Sequence, residues 1–186
     1  MITLYFGTIQ GQWDLMLKQD RWKPVLLPLV KKLVQAITPL LLGKDEWLDN
    51  RLRAVGESDG VVHFTNEKTT AMHYAATFPE VVVTCLNRFV ENLRDGGITD
   101  LAQAKQVAAV FKELHAFFTK EGSPLLVTAE FAEQDVVWFG LNEYSLTQAL
   151  SISSTVKSIE PVSEEHLFLY YYKDFVKACA EKGITL

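Results

Sequence analysis

The sequence lacks the motifs that mark several large enzyme classes. It contains neither of the glycine-rich phosphate loops G-x-x-x-x-G-K-[ST] and G-x-G-x-x-G, no G-x-S-x-G nucleophile elbow and no H-E-x-x-H zinc pair. Cysteine is scarce, and because Cys85 and Cys179 form no Cys-x-x-Cys pair, the chain offers neither a zinc ribbon nor a redox motif. Both cysteines are expected to be free, buried thiols.

The chain also lacks an excess of positive charge and an uninterrupted hydrophobic run. Its 18 Lys and Arg are outnumbered by 23 Asp and Glu, and the formal net charge of −5 argues against a nucleic-acid partner. The first residues, MITLYFGTIQ, contain neither a basic region nor a long apolar run, so no signal peptide is predicted. The most apolar stretch, Val25 to Leu42, contains prolines and lysines and predicts a buried helix instead of a membrane span. We therefore expect a cytoplasmic protein without a membrane partner.

What the chain does contain is enough apolar material for a substantial core. Hydrophobic residues make up 48% of the 186 residues, which predicts a single globular domain over residues 1–186. The clearest element is a helix from Thr99 to Glu121, with Thr99 as its N-cap and Gly122 and Pro124 ending it. Its apolar stripe comprises Leu101, Ala104, Ala108, Phe111, Leu114 and Phe118.

Helical spacing predicts four further helices. The first begins at Pro24 and is expected to be kinked or ended by Pro39 near Ile37. The others cover Asp45 to Ala54, with Trp47 and Leu48 inward; Pro79 to Leu93; and a last helix capped by Ser163 and ended by Gly183. A strand over residues 167–172 is the alternative for the start of the last helix. For segments 13–22, 67–77 and 143–154 the sequence does not distinguish a helix from a loop.

Four strands are predicted, with apolar and polar residues alternating in the first three. They are Ile2 to Phe6, Val61 to Thr65 after the turn Ser58-Asp59-Gly60, Leu125 to Phe131, and Val136 to Gly140. The last two, joined by a turn at residues 132–135, are expected to pair as a β-hairpin. The predicted fold class is α+β, a small antiparallel or mixed β-sheet with several amphipathic helices packed against it.

Acidic and aromatic residues cluster around this predicted turn. The residues nominated for partner binding are Glu130, Glu133, Asp135, Trp138, Glu143, Tyr144 and, separately, Tyr171. Acidic groups beside exposed aromatics suit a protein that binds and blocks the basic, nucleic-acid-binding site of another protein. The alternative is a solvated turn with Trp138 and Phe139 in the core. Tyr171 belongs to an aromatic run, residues 168–172, that one helix face cannot bury, so at least one tyrosine should reach the surface or a partner.

Four histidines are the remaining candidates for chemistry. His63 and His73, with Glu67 between them, could meet as a metal or acid–base site, which would make the protein a small enzyme. His115 is expected at the boundary of the core, and His166 on the solvated start of the last helix. No catalytic residue, metal or cofactor is assigned from the sequence, and the oligomeric state is left open.

The first 55 residues have the pattern of a known group of proteins. A short strand, ITLYFG, leads through Trp22 into the helix LLPLVKKLVQAI, followed by Pro39, a short leucine run and Trp47. This arrangement resembles immunity proteins of bacterial polymorphic-toxin and type VI secretion systems, particularly those paired with restriction-endonuclease-like toxins. The resemblance implies a small cytosolic α+β protein that binds and neutralises one cognate toxin or effector and has no catalytic residues. An adaptor or self-associating protein that uses Tyr171 is a further alternative.

Overall fold

The structure, a computed structural model, describes residues 1–23, 27–43, 46–57, 62–140 and 142–186. Its strands are β1 (Ile2–Ile9), β2 (Phe64–Thr65), β3 (Pro124–Phe131), β4 (Val136–Gly140), β5 (Glu143–Leu146) and β6 (Val156–Pro161). Its helices are α1 (Gln10–Gln19), α2 (Pro28–Leu41), α3 (Glu46–Glu57), α4 (Lys68–Thr77), α5 (Glu80–Arg94), α6 (Leu101–Glu121) and α7 (Leu167–Glu181), with a short 3-10 helix at Glu133–Asp135. The predicted helix starts at Pro24 and Asp45, the turn at residues 58–60, and Val61 lie outside the described residues.

The strands of the described residues form one sheet in the order β4-β5-β2-β1-β3-β6, and every neighbouring pair is antiparallel. The longest pairing joins β1 to β3, from Ile2 opposite Phe131 to Ile9 opposite Pro124. An antiparallel sheet with helices beside it confirms the predicted α+β class. Across these same residues, no helix combines the length and the apolar character that a membrane crossing requires.

The contacts of the chain gather into two compact units. Unit 1 comprises residues 1–25, 59–78 and 121–166 and holds the sheet with α1 and α4. Unit 2 comprises residues 26–58, 79–120 and 167–186 and holds α2, α3, α5 and α7, together with α6 up to Lys120. The single domain expected over residues 1–186 stays a prediction.

One face of the sheet in unit 1 carries the larger core. Phe6 of β1 shares this face with its partner Val127 of β3, because directly opposite residues in a ladder point the same way. Trp22, which follows α1, lies in the middle of this core. Its ring contacts those of Phe6, Trp13, Phe64 and Phe131 at centroid distances of 5.7, 5.7, 4.9 and 5.9 Å. The side chain also donates from Nε1 to Oγ1 of Thr155 at 2.7 Å, which ties residues 150–155 to the core.

The opposite face of the sheet in unit 1 is covered by α4. Ala71 and Ala75, one helical turn apart, are fully buried in a cluster with Leu126 of β3. Gly7 of β1 lies directly under the helix. A Cβ at this position would overlap the carbonyl oxygen of Ala71 and lie 2.7 Å from the amide nitrogen of Ala75. Small residues on both elements thus let the helix backbone approach the strand backbone.

Aromatic rings hold unit 2 together. Phe111 of α6 contacts Phe89 of α5 at 5.6 Å and Phe175 of α7 at 5.3 Å between ring centroids, and all three are fully buried. Near the surface Arg94, the last residue of α5, donates to both carboxylate oxygens of Asp174 at 2.8 Å. This bidentate hydrogen bond holds the pKa of the Asp174 carboxyl below its usual range.

The pairing predicted between β3 and β4 is wrong. β3 lies between β1 and β6, whereas β4 pairs with β5, and three strands separate β3 from β4 in the sheet. The chain turns instead around Gly140 and Asn142, whose φ angles are +110° and +63°. Glycine and asparagine are the residues that best tolerate this left-handed region. Segment 143–154, left open between helix and loop, therefore begins with a strand, and β6 is a strand that local alternation did not predict.

Several helix predictions are corrected at their boundaries. The open segments 13–22 and 67–77 are largely helical, in α1 and α4. Pro39, expected to kink or end the helix near Ile37, does not end it there, since α2 continues two residues beyond the proline. Asp100, not Thr99, caps α6, because its Oδ1 accepts the amide N–H of Gln103 at 2.9 Å.

Further corrections concern side chains and the last helix. Trp47, predicted to point inward, is 43% exposed, with the guanidinium carbon of Arg51 5.3 Å from its ring centroid. Leu101, assigned to the apolar stripe of α6, is 46% exposed. α7 begins four residues after the predicted cap at Ser163 and occupies residues 167–172, where a strand was the alternative.

Candidate functional site

β4 lies at one edge of the sheet, and most of the nominated residues lie on it or beside it. It forms a hairpin with β5 in which Val136, Val137 and Trp138 stand opposite Leu146, Ser145 and Tyr144. Among the described strands it has no second neighbour, because it ends the strand order. The nominated residues are therefore gathered on an edge hairpin, not on the turn between β3 and β4.

The turn of this hairpin is fastened to the start of α4. Asn142 donates from Nδ2 to Oε1 of Glu67 at 2.6 Å, and its carbonyl oxygen accepts the amide N–H of Asn66 at 3.4 Å. Glu67 also accepts the hydroxyl of Thr70 through Oε2 at 2.9 Å. These contacts hold the edge hairpin against the helix that covers the sheet.

Hydrophobic side chains are exposed on both faces of β4. Trp138 is 63% exposed, and Val137, which points to the opposite face, is 48% exposed. Tyr144, opposite Trp138 on β5, is half-buried against the core of unit 1, and Phe64, opposite Tyr144 on β2, is fully buried. Trp138 thus ends an aromatic row that runs from the core of unit 1 to the edge of the sheet.

Carboxylates surround this exposed edge. Glu133 and Asp135 precede β4, and Glu143 follows it at the start of β5. Glu133 lies 3.8 Å from the amino nitrogen of Met1, with its side chain 82% exposed. Glu143 accepts the hydroxyl of Tyr74 at 2.8 Å. A hydroxyl partner leaves the negative charge of Glu143 in place, so the edge keeps its acidic character.

The stretch of sequence that builds the edge carries charge of one sign. Residues 121–156 include five acidic side chains and no Lys, Arg or His. We define the β4 surface as Glu133, Asp135, Val137, Trp138, Glu143 and Tyr144. It combines exposed aromatic and aliphatic area with a negative rim, the composition that suits a positively charged protein partner.

Two of the nominated residues lie elsewhere. Glu130 is on β3, far from β4 in the strand order, and its carboxylate is 3.1 Å from Nζ of Lys157. Tyr171 belongs to α7 in unit 2 and is half-buried. The prediction that a tyrosine of this run reaches the surface is confirmed for Tyr170, which is 59% exposed. The side chain of Phe139 lies outside what the structure describes.

Sequence reasoning missed Val137 and the strand that pairs with β4. A signal was present, because the turn residues Gly140 and Asn142 lie between the apolar run 136–139 and residues 143–146, in which polar and apolar residues alternate. That signal competed with the turn at residues 132–135, which is also rich in polar residues. The competing turn contains the short 3-10 helix and reverses no strand.

The opposite edge of the sheet, β6, is protected against further pairing. Lys157 contacts Glu130, Glu160 lies 3.0 Å from Lys68, and the strand ends at Pro161, which has no N–H to donate. Charges and proline are common means of blocking an edge strand. The sequence of β4, VVWFG, contains neither. Within the described sheet the two edges therefore differ, and β4 is the edge strand without these blocking features.

His63 lies just before β2, Glu67 just before α4 and His73 within α4. All three side chains are exposed, and Glu67 is engaged by Thr70 and Asn142. Within the described ranges, no three His, Cys, Asp or Glu side chains are grouped to hold a metal ion. The small-enzyme alternative stays a prediction.

Cys85 and Cys179 are free and buried, as predicted. Burial raises the pKa of the Cys85 thiol to about 12 and that of the Cys179 thiol to about 11. Both thiols are protonated at neutral pH, so neither suits nucleophilic chemistry.

His166 is buried, which corrects its predicted place on a solvated helix start. Its Nε2 lies 2.6 Å from the carbonyl oxygen of Phe78, and because a carbonyl only accepts, Nε2 carries the proton and donates it. Burial lowers the pKa of this imidazole more than the hydrogen bond to Phe78 raises it. His115, in contrast, is half-buried and stacked on Tyr172 at 4.0 Å, in line with its predicted boundary position.

Acidification is expected to destabilise the protein partly through His166. Its pKa lies below 6.5 in the folded state and near 6.5 in the unfolded chain, so the unfolded chain binds more protons as the pH falls. The contribution of neutral His166 to the free energy of unfolding is thus fully present above pH 6.5. It is lost as the pH falls below 6.5, by at most about 1.4 kcal/mol per pH unit. Urea unfolding at several pH values measures this pH dependence for the wild type and for His166→Gln. The glutamine can still donate a hydrogen bond to Phe78 but does not titrate. The advantage of the wild type should shrink towards low pH, and a constant difference would contradict the assignment.

No family model matches the chain, and no curated protein or solved structure shows significant similarity to it.

Proposed function

We propose that this chain is an immunity-type binding protein that neutralises a cognate toxin or effector by occluding the partner's active site with the β4 surface. The observation that carries the proposal is Trp138, whose large side chain is 63% exposed on an edge strand between carboxylates. The resemblance of residues 1–55 to immunity proteins of polymorphic-toxin and type VI secretion systems supports the same role.

The physical argument begins with the cost of an exposed indole. A folded protein gains little from a tryptophan in water, whereas tryptophan is among the residues that contribute most to protein–protein binding once it is covered. The carboxylates of Glu133, Asp135 and Glu143 add a negative field that steers a positively charged surface towards the edge. Active sites that handle nucleic acid are positively charged, so a protein with this surface can cover one and exclude its substrate.

The partner to test is the product of the gene immediately upstream of the one that encodes this chain. Trp138→Ala should weaken binding to that protein about 30-fold, which corresponds to about 2 kcal/mol. Isothermal titration calorimetry measures the affinity, and growth of cells that express the upstream product measures neutralisation. Trp47→Ala is the matched control, since Trp47 is also exposed but belongs to α3 in unit 2.

A charge-matched pair of variants separates the β4 surface from net charge. Glu133→Lys with Asp135→Lys should slow association and reduce its salt dependence. Glu164→Lys with Glu165→Lys makes the same change in net charge at two exposed positions of unit 1 outside the β4 surface and should leave binding nearly unchanged. The proposal fails if the upstream product forms no complex with this chain and cells expressing it are not protected.

A further inference from the structure

We propose that β4 receives an extended, positively charged segment of the partner as an additional strand of the sheet. The inference rests on the proposed binding role of the β4 surface and names the chemistry of what this surface binds. Main-chain hydrogen bonds of the added strand would supply affinity, and the side chains that alternate along it would supply specificity.

The register of the hairpin shows which backbone groups of β4 face outward. The amide N–H of Thr147 donates to the carbonyl oxygen of Asp135 at 2.9 Å, so this opposite pair is a hydrogen-bonded one. Hydrogen-bonded and non-hydrogen-bonded pairs alternate in an antiparallel ladder. Val137 is therefore bonded to β5, whereas Val136 and Trp138 turn their backbone groups away from it.

The outward groups are centred on Trp138. The N–H of Val136 already donates to the carbonyl oxygen of Glu133. Among the described residues, this leaves the carbonyl of Val136 and both backbone groups of Trp138 directed away from β5. Tyr144, opposite Trp138, directs its own backbone groups to β2, where it pairs with Phe64. An antiparallel strand added to β4 could thus exchange two hydrogen bonds with Trp138 and donate a third to Val136.

The side chains of β4 set the pattern expected of the added strand. The residue bonded to Trp138 would have its Cα about 5.5 Å away and its side chain on the face of the indole. A Lys or Arg there can lie over the indole ring, where a cation is attracted by the π electrons. The residues before and after it in the added strand would point to the opposite face of the sheet, where Val137 lies. Val137 is apolar and 48% exposed. The preferred segment therefore alternates basic with aliphatic residues over the length of β4, about 17 Å.

Charge decides between this occupant and a second copy of the chain. Two β4 strands side by side would bring Glu133, Asp135 and Glu143 of both copies to one edge, and residues 121–156 contain no basic residue to compensate. A positively charged segment meets the same carboxylates with attraction. The structure therefore favours a basic strand over self-association at this edge.

The test is amide exchange of the full chain, measured by nuclear magnetic resonance, with a synthetic peptide, acetyl-Lys-Val-Lys-Val-Lys-Val-amide. At saturating peptide, exchange of the Trp138 amide should slow about fivefold or more, whereas the Val137 amide, already bonded to β5, should not change. Acetyl-Glu-Val-Glu-Val-Glu-Val-amide keeps the alternation with the opposite charge and should give no protection. Trp138→Ala should bind the basic peptide more weakly yet still show protection at the amide of position 138.

Several results would overturn the proposal. They are no binding of the basic peptide, binding that leaves the Trp138 amide unprotected, equal protection by the acidic peptide, and protection that grows with protein concentration alone, which would indicate a second copy at the edge. The two proposals can fail separately. If the upstream product does not bind but the peptide protects Trp138, only the immunity function is refuted. If that product binds without protecting Trp138, only strand addition is refuted.

Discussion

Replacing Gly7 by alanine is expected to lower the free energy of unfolding by about 3 kcal/mol, although it adds a single methyl group. The new Cβ would overlap the carbonyl oxygen of Ala71 and lie 2.7 Å from the amide nitrogen of Ala75. Both atoms belong to the backbone of α4, so no side-chain rotation can relieve the overlap. The helix must move away from the sheet, which opens the packing of Ala71 and Ala75 against Leu126.

Thr3→Ala is the matched control for Gly7→Ala. Thr3 lies on the same strand and the same face as Gly7, but its side chain is exposed. Its replacement should change the free energy of unfolding by no more than about 0.5 kcal/mol. Urea denaturation of the three proteins measures both effects. Equal stability of Gly7→Ala and the wild type would show that α4 does not rest on β1 at the close distance seen here.

Trp22→Ala is expected to destabilise the protein by about 4 kcal/mol. The substitution leaves a cavity among the four aromatic rings that contact Trp22 and removes the hydrogen bond from Nε1 to Thr155. It also weakens the attachment of residues 150–155, which otherwise depends on a backbone bond from Trp22 to Leu150 and on Asp20. Thermal and urea unfolding both report this loss.

Two variants divide the contribution of Trp22 into parts. Trp22→Phe keeps an aromatic ring but loses the Nε1 donor, so it should cost about 1–2 kcal/mol, less than the alanine variant. Trp138→Ala removes the exposed tryptophan of the same unit and should have little effect on stability. If Trp22→Ala were no less stable than Trp138→Ala, Trp22 would not be the centre of the core. The same comparison shows whether a binding defect of Trp138→Ala arises without unfolding.

The helices were largely predictable because their signal is local. The stripe of Ala104, Ala108, Phe111, Leu114 and Phe118 in α6 is buried as its spacing indicates. The errors lie where a neighbouring element decides the outcome. Trp47 has an apolar side chain that the helix pattern assigns to the core, yet nothing in the described part of unit 2 covers it fully, and Arg51 lies against its ring instead.

Only some residues of the β4 surface could be predicted from the sequence, again because contacts with other elements decide where each residue lies. Trp138, Glu143 and Tyr144 were nominated from composition, and the structure places them together on one hairpin. Glu130 was included because it is close in sequence, but the sheet carries it to the neighbourhood of Lys157. The resemblance of residues 1–55 indicated a binding role without indicating a surface.

The amino-acid sequence by itself determined the α+β class, most of the helices and the acidic, aromatic character of residues 130–144. These properties depend on periodicity and charge within short stretches of chain. Only the tertiary structure decided that β4 pairs with β5 and stands at the edge, because the backbone hydrogen bonds of a sheet are the same for any two strands. Strand order is selected by side chains that meet from distant parts of the chain, such as Gly7 with Ala71 and Trp22 with Thr155. That selection leaves Trp138 exposed at the sheet edge.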